Sequence, residues 1–192
     1  MNVYPFNALV ARMKYISRWG LMRSSRTETL SEHTADAAIL AHTLCLIAQK
    51  EFGRNVRPET VAVAALYHDA SEIMTGDMPT PIKYDNPAIQ QAYKQVESVA
   101  EEKLLSMLPD DLREEFRPAI TIPDENIRAV VKAADKLSAY LKCVEEVKGG
   151  NLEFKKAKEQ TYAALCRDPI PALQYFMDNF LEGFSLTLDE LS

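Results

Sequence analysis

The sequence predicts an all-α protein in a single domain, residues 1–192, and three observations lead there. Apolar residues recur at three- and four-residue spacing in segment after segment. No stretch alternates convincingly with period two, and Pro, Gly and capping residues punctuate the chain at helical intervals. With 192 residues, 47% of them hydrophobic, the chain is long enough to bury about 70% of the surface it exposes when unfolded. No repeat, low-complexity tract or interdomain linker interrupts it.

The formal charge of −6 and a pI near 5.2 argue against a protein that coats a nucleic acid polymer, which needs a broad basic surface. Cys45, Cys143 and Cys166 are far apart and form no CxxC, so they read as free thiols in a reducing compartment. The start of the chain, with Asn2, Pro5, Asn7 and Arg12, does not resemble a secretory signal. The most apolar run, Ala37 to Ala48, is broken by His42 and Thr43 and is too short for a bilayer. A cytoplasmic protein without a membrane partner is expected.

Taken in order, Leu9, Val10, Met13 and Ile16 have helical spacing. A positive segment follows, with Arg12, Lys14, Arg18, Arg23 and Arg26 and no acidic residue until Glu28. Most of it reads as a solvated face. Arg18-Trp19 stands apart, because a guanidinium can fork onto phosphate and the single tryptophan can flank a sugar or base, or else plug the core. Thr29 and Glu32 fit a capping box, which starts a helix running to about Lys50, before Gly53. His33 lies in its first turn as a ligand candidate, whereas His42 lies about half a circle away and is assigned a structural role.

Pro58 suits a first helical turn, and the run from Glu59 to Met74 has no breaker until Gly76. On that helix Glu72 would lie one turn beyond His68 and Asp69, so all three could address one small volume. The segment Gly76-Asp77-Met78-Pro79-Thr80-Pro81 is a rigid loop; Asp77 and Thr80 could line the same cleft, or Asp77 could cap the turn. Asn86-Pro87 opens a scaffold helix reaching Met107, and Asp110 to Phe116 a short one that stops before Pro118. Asp124 caps a helix ending at Gly149-Gly150. Its Asp135 sits among apolar neighbours, where a carboxylate must be paired or bind metal, with Lys132 and Lys136 as the competing partners. One helix over Leu152 to Cys166 and a strongly apolar last one, Leu173 to Phe184, complete the chain.

His33, His68-Asp69 and Asp135 come from three helices in the order that marks the HD-domain phosphohydrolases. Together with Arg18-Trp19, Ser31-Glu32-His33, His68-Asp69-Ala70-Ser71-Glu72, Gly76 to Pro81, Lys132 to Leu137 and Leu186 to Glu190, they resemble the bacterial 5'-deoxynucleotidases of the YfbR type over nearly the whole chain. The resemblance implies a single HD-domain helical bundle and hydrolysis of deoxyribonucleoside 5'-monophosphates. It implies one divalent transition metal ion on His33, His68, Asp69 and Asp135, with Co²⁺ or Mn²⁺ favoured over Zn²⁺ and Cu²⁺. Mixed imidazole and carboxylate donors suit such an ion.

Asp69, Glu72 and Arg18 are the implied catalytic residues, with Glu72 placed to protonate the leaving 5'-oxygen or to position water. Substrate contacts are implied for Arg18, Trp19, His33, Asp69, Asp77, Met78, Pro79, Thr80 and Asp135. Trp19 would exclude a 2'-hydroxyl and Asp77 would accept from the 3'-hydroxyl, with little base preference. A homodimer is implied, with Phe176, Phe180 and Phe184 as candidate contacts. The competing expectations are an HD phosphohydrolase acting on a cyclic nucleotide, alarmone or nucleoside triphosphate, and a nucleotide-binding module without turnover.

Overall fold

The structure is a computed structural model that describes residues 3–55, 57–79 and 86–191. Among them it is helical, with no strand and one isolated antiparallel bridge between Ser17 and Thr29. The helices are α1 (Phe6–Val10), α2 (Leu30–Phe52), α3 (Pro58–Tyr67), α4 (Glu72–Thr75) and α5 (Pro87–Leu105). They continue as α6 (Asp110–Thr121), α7 (Glu125–Lys148), α8 (Lys155–Cys166) and α9 (Pro171–Asn179). Short 3₁₀ turns occupy Ala11–Tyr15, Leu152–Phe154, Leu181–Ser185 and Leu188–Glu190.

Local chemistry sets the ends of the long helices. Thr29 and Glu32 form the capping box: the Glu32 N–H donates to Thr29 Oγ1 at 3.3 Å, and the Thr29 N–H to Glu32 Oε2 at 2.7 Å. Gly53, with φ of 60°, ends α2 in the left-handed conformation that a side chain would oppose. Asn86 Oδ1 caps α5 through the Ile89 N–H at 2.9 Å, and Asp124 Oδ1 caps α7 through the Asn126 N–H at 2.8 Å.

The main core lies where α2, α3 and α7 pack on one another and α9 closes over α2. Leu44, Val61, Ala65, Val131, Ala134, Leu137 and Leu173 are buried there. A second cluster gathers Phe6, Ala70, Leu104, Leu105, Leu108 and Ile120, with Phe6 edge-on to Phe116 at 5.2 Å. The chain passes from one cluster to the other between Ala65 and Ala70, and the polar site sits on that passage.

Four boundaries differ from the sequence reading. The expected helix from Glu59 to Met74 ends at Tyr67, and His68–Ser71 form a tight turn before α4. There the Ala70 N–H donates to Tyr67 O and the Glu72 N–H to Asp69 O, three residues back instead of four. Burying Ala70 in the second cluster requires this change of direction. Helix α6 runs through Pro118, whose exposed side leaves the freed Glu114 carbonyl to water. Leu152–Phe154 is a 3₁₀ turn ahead of α8, and the last apolar segment breaks at Phe180 into α9 and a 3₁₀ turn.

Candidate active site

Helices α2 and α7 and the turn after α3 bring His33, His68, Asp69 and Asp135 together. His33 is fully buried, with Nδ1 on the Ser138 hydroxyl at 3.1 Å and Nε2 facing Asp135 Oδ1 at 3.1 Å. The His68 Nδ1–H donates to the Ala65 carbonyl at 2.7 Å; a carbonyl only accepts, so in the neutral ring Nε2 carries the lone pair that faces the cluster. Asp69 Oδ2 stands 3.2 Å from His68 Nε2 and 3.6 Å from His33 Nε2, and Asp135 Oδ1 is 3.9 Å from His68 Nε2. Yet both Nε2 atoms are buried without a properly directed hydrogen bond among the described residues. Two buried ring nitrogens left without hydrogen bonds beside carboxylates are what a metal site needs.

The distances agree with that use. One donor atom each from His33, His68 and Asp135 lies within 4.8 Å of the others. An ion with bonds of about 2.0–2.2 Å sets its donors roughly 3–4 Å apart. His33, His68 and Asp135 therefore fit one divalent ion, and Asp69 Oδ2 stands beside both imidazoles at 3.2 and 3.6 Å. Charge is matched in the same sense: burial opposes the protonated imidazole of His68, but Asp69, Asp135 and the Ala65 carbonyl together outweigh it and raise the group to about 9. Burial likewise opposes the Asp69 carboxylate, while His68, His33 and Arg18 hold it well below the usual range. Positive charge at this point, from a proton or a cation, is what the carboxylates favour.

Arg18 and Trp19 lie on the loop between the first 3₁₀ turn and α2. The Arg18 side chain, 11% exposed, donates from Nε to Glu28 Oε2 at 3.1 Å and from Nη1 to Asp69 Oδ2 at 3.3 Å. Trp19 has a φ of 61°, a left-handed conformation costing a side chain about 1–2 kcal/mol. Its N–H donates to Asp77 Oδ2 at 3.2 Å, its Nε1–H to Glu28 Oε2 at 3.0 Å, and its ring meets Phe154 edge-on at 5.3 Å. Asp77 is thus joined to the sugar-facing candidate, and Trp19 lines the loop instead of plugging the core.

The buried Glu72 opens α4 directly after the His-Asp turn. Met78 and Pro79 follow it in a part-buried loop, whereas Thr80 and Pro81 lie outside the described residues. Lys136 turns to Asp168 at 3.0 Å and Lys132 is exposed, so the ion-pair account of Asp135 does not hold. His42, expected to be structural, is exposed on α2 and apart from the site, because its face of the helix meets solvent.

Several residues of the site carry no motif. Glu28 and Ser138 are buried partners of Arg18, Trp19 and His33. Ser138 was legible only as the residue one turn beyond Asp135 on the same helix. Behind the loop, Glu146 accepts from the Ser25 N–H at 2.8 Å, Ser25 Oγ at 2.7 Å, Lys142 Nζ at 2.5 Å and Asn151 Nδ2 at 2.8 Å. Lys142 also donates to the Arg26 carbonyl at 2.7 Å. This buried cluster fastens the loop to α7.

A helical bundle that converges His, His-Asp and Asp from separate elements is the architecture of the HD-domain phosphohydrolases. The fold agrees with an HD-domain phosphohydrolase from Listeria innocua at a TM-score of 0.82 and 18% identity, over 96% of this chain and 90% of that one. It also agrees with the cyanophage S-2L HD phosphohydrolase bound to dA and one catalytic Zn²⁺ ion, at 0.66 and 20% identity, over 94% and 96%.

The chain belongs to the YfbR-like 5'-deoxynucleotidase family, whose model matches residues 5–184. A 5'-deoxynucleotidase from Photobacterium profundum is 49% identical over 194 residues, with 100% of each chain covered. One from Vibrio cholerae serotype O1 is 48% identical over 196 residues, again with 100% of each covered.

Proposed function

We propose that this chain hydrolyses deoxyribonucleoside 5'-monophosphates to deoxyribonucleoside and phosphate, using one divalent ion held by His33, His68, Asp69 and Asp135. The observation that carries this reading is the pair of buried Nε2 atoms lacking hydrogen bonds beside two carboxylates, in a member of a deoxynucleotidase family. A divalent ion there lowers the pKa of water and offsets charge developing on phosphorus. Asp69 orients the attacking water. Arg18, kept charged by Asp69, Asp135 and Glu28 against its burial, grips the phosphate. Glu72 delivers a proton to the leaving 5'-oxygen.

Sugar selection is assigned to Trp19, whose ring closes the space a 2'-hydroxyl would need, and to Asp77, which has acceptor capacity left for the 3'-hydroxyl. Met78 and Pro79 are assigned to the substrate wall, the expected contact of Thr80 lies outside the described residues, and no residue is assigned to reading the base. Trp19→Ala is expected to raise kcat/KM for AMP toward that for deoxy-AMP, while the metal content stays unchanged. An unaltered preference sinks the steric account.

The reading includes Co²⁺ or Mn²⁺ as the working ion, one domain throughout and a cytoplasmic setting. No helix among the described residues is long and apolar enough to cross a membrane. A homodimer would use Phe180 and Phe184, which are 45% and 40% exposed, while Phe176 is taken by the core. A monomer at micromolar concentration dismisses it. The decisive assay is phosphate release from deoxy-AMP and AMP on metal-stripped protein, with Co²⁺, Mn²⁺, Mg²⁺ or Zn²⁺ added back. Metal-dependent release from the deoxy form alone is expected. Equal release from both sugars removes the selection, and none with any metal removes the hydrolase.

A further inference from the structure

The two loop residues assigned to substrate recognition converge on a third that no motif marks. Glu28 is 8% exposed, and its Oε2 accepts from both Arg18 Nε and Trp19 Nε1. Its backbone carbonyl takes the Arg18 N–H at 2.9 Å, which continues the pairing of the loop beside the Ser17–Thr29 bridge. The far ends of the same residues are already tied, Arg18 through Nη1 to Asp69 and Trp19 through its N–H to Asp77.

A guanidinium pinned at Nη1 can still swing about that contact, and an indole tied at its backbone and touching Phe154 only edge-on can still tilt about χ2, since an edge contact fixes no direction for Nε1. The contact to Glu28 removes both freedoms. Backbone pairing would hold the loop without this side chain, so holding the loop does not account for a buried carboxylate shared between two donors.

We propose that Glu28 is the positioning residue for Arg18 and Trp19 together, setting the planes of guanidinium and indole through one carboxylate oxygen, so that phosphate grip and sugar discrimination rise and fall together. The inference rests on the deoxynucleotide reading of the cleft.

Trp19 is the only tryptophan, so its emission reports the indole without substrate. In Glu28→Ala the emission is expected to shift to the red with stronger acrylamide quenching. KM for deoxy-AMP rises, and the ratio of kcat/KM for deoxy-AMP over AMP falls by about tenfold, the scale of one buried hydrogen bond. Bound metal stays at the wild-type level. Glu28→Gln keeps an oxygen within reach of both donors and recovers part of each effect, which a loop held by packing alone would not reproduce.

Wild-type emission in Glu28→Ala overturns the proposal, and so does shifted emission with an unchanged sugar ratio. If wild-type protein itself fails to distinguish the sugars, the reading of the cleft falls, and the emission arm alone decides whether Glu28 positions the indole. Should Glu28→Ala not fold, Glu28→Asp withdraws the carboxylate by one methylene from both Arg18 Nε and Trp19 Nε1. It is expected to shift the emission to the red, raise KM for deoxy-AMP and narrow the sugar ratio together, and wild-type emission or an unchanged ratio overturns the proposal.

Discussion

Glu72→Ala is expected to lower phosphate release from deoxy-AMP by about 10²- to 10⁴-fold, the usual contribution of a positioned general acid. Fold and bound metal should remain. Glu72 is buried at 4% exposure and begins α4, and its N–H donates to the Asp69 carbonyl at 3.0 Å. It therefore moves with the His-Asp turn while lying outside the proposed ligand quartet. The check is single-turnover release measured beside metal content and far-UV circular dichroism. Activity within about threefold of wild type takes Glu72 out of the mechanism, whereas loss of metal would make it a ligand. His33→Ala should give that second pattern, because it removes a donor.

The largest effect on stability is expected from Glu146→Gln, far from the reacting atoms. Glu146 is 2% exposed and Lys142 5%, so the change strands a buried ammonium and weakens the acceptor of the Ser25 and Asn151 donors. Breaking one side of such a pair costs about 3–5 kcal/mol, a large part of the total stability of a domain. Burial opposes the Glu146 carboxylate, but Lys142 and the Ser25 N–H more than offset it and hold the group well below the usual range. Its contribution is therefore full above the ordinary carboxylate pKa and is lost as pH falls below it. Urea unfolding from neutral to acid pH should show a steep acid limb for wild type and a flatter one for Glu146→Gln. A loss under about 1 kcal/mol at neutral pH would make the cluster dispensable.

The helix ends that were legible are those fixed by neighbours in sequence. Thr29 with Glu32, Asn86 with Ile89, Asp124 with Asn126 and Gly53 each act within one turn, so their chemistry is visible in the residues themselves. The end of α3 is different. Ala62 to Ala70 holds no Gly or Pro, and its composition favours continuing the helix. It stops at Tyr67 because Ala70 belongs to a cluster built from Phe6, Leu104 and Ile120, none of them close in sequence. That turn also sets the angle at which Asp69 meets His33 and His68.

For the site, the sequence by itself determined the helical class, the inventory of donors and the family resemblance. His33, His68, Asp69 and Asp135 are residue types whose combination means something before any distance is known. The tertiary structure alone decided which other charges lose their water. Glu28 pairs with Trp19, Ser138 with His33 and Glu146 with Ser25, and those last two contacts bridge 105 and 121 residues. Desolvation makes such contacts energetically important, and desolvation is a property of packing. Glu32, 42% exposed, is marked in the chain by Thr29 three residues before it, whereas nothing beside Glu28 shows that the fold buries it against Arg18.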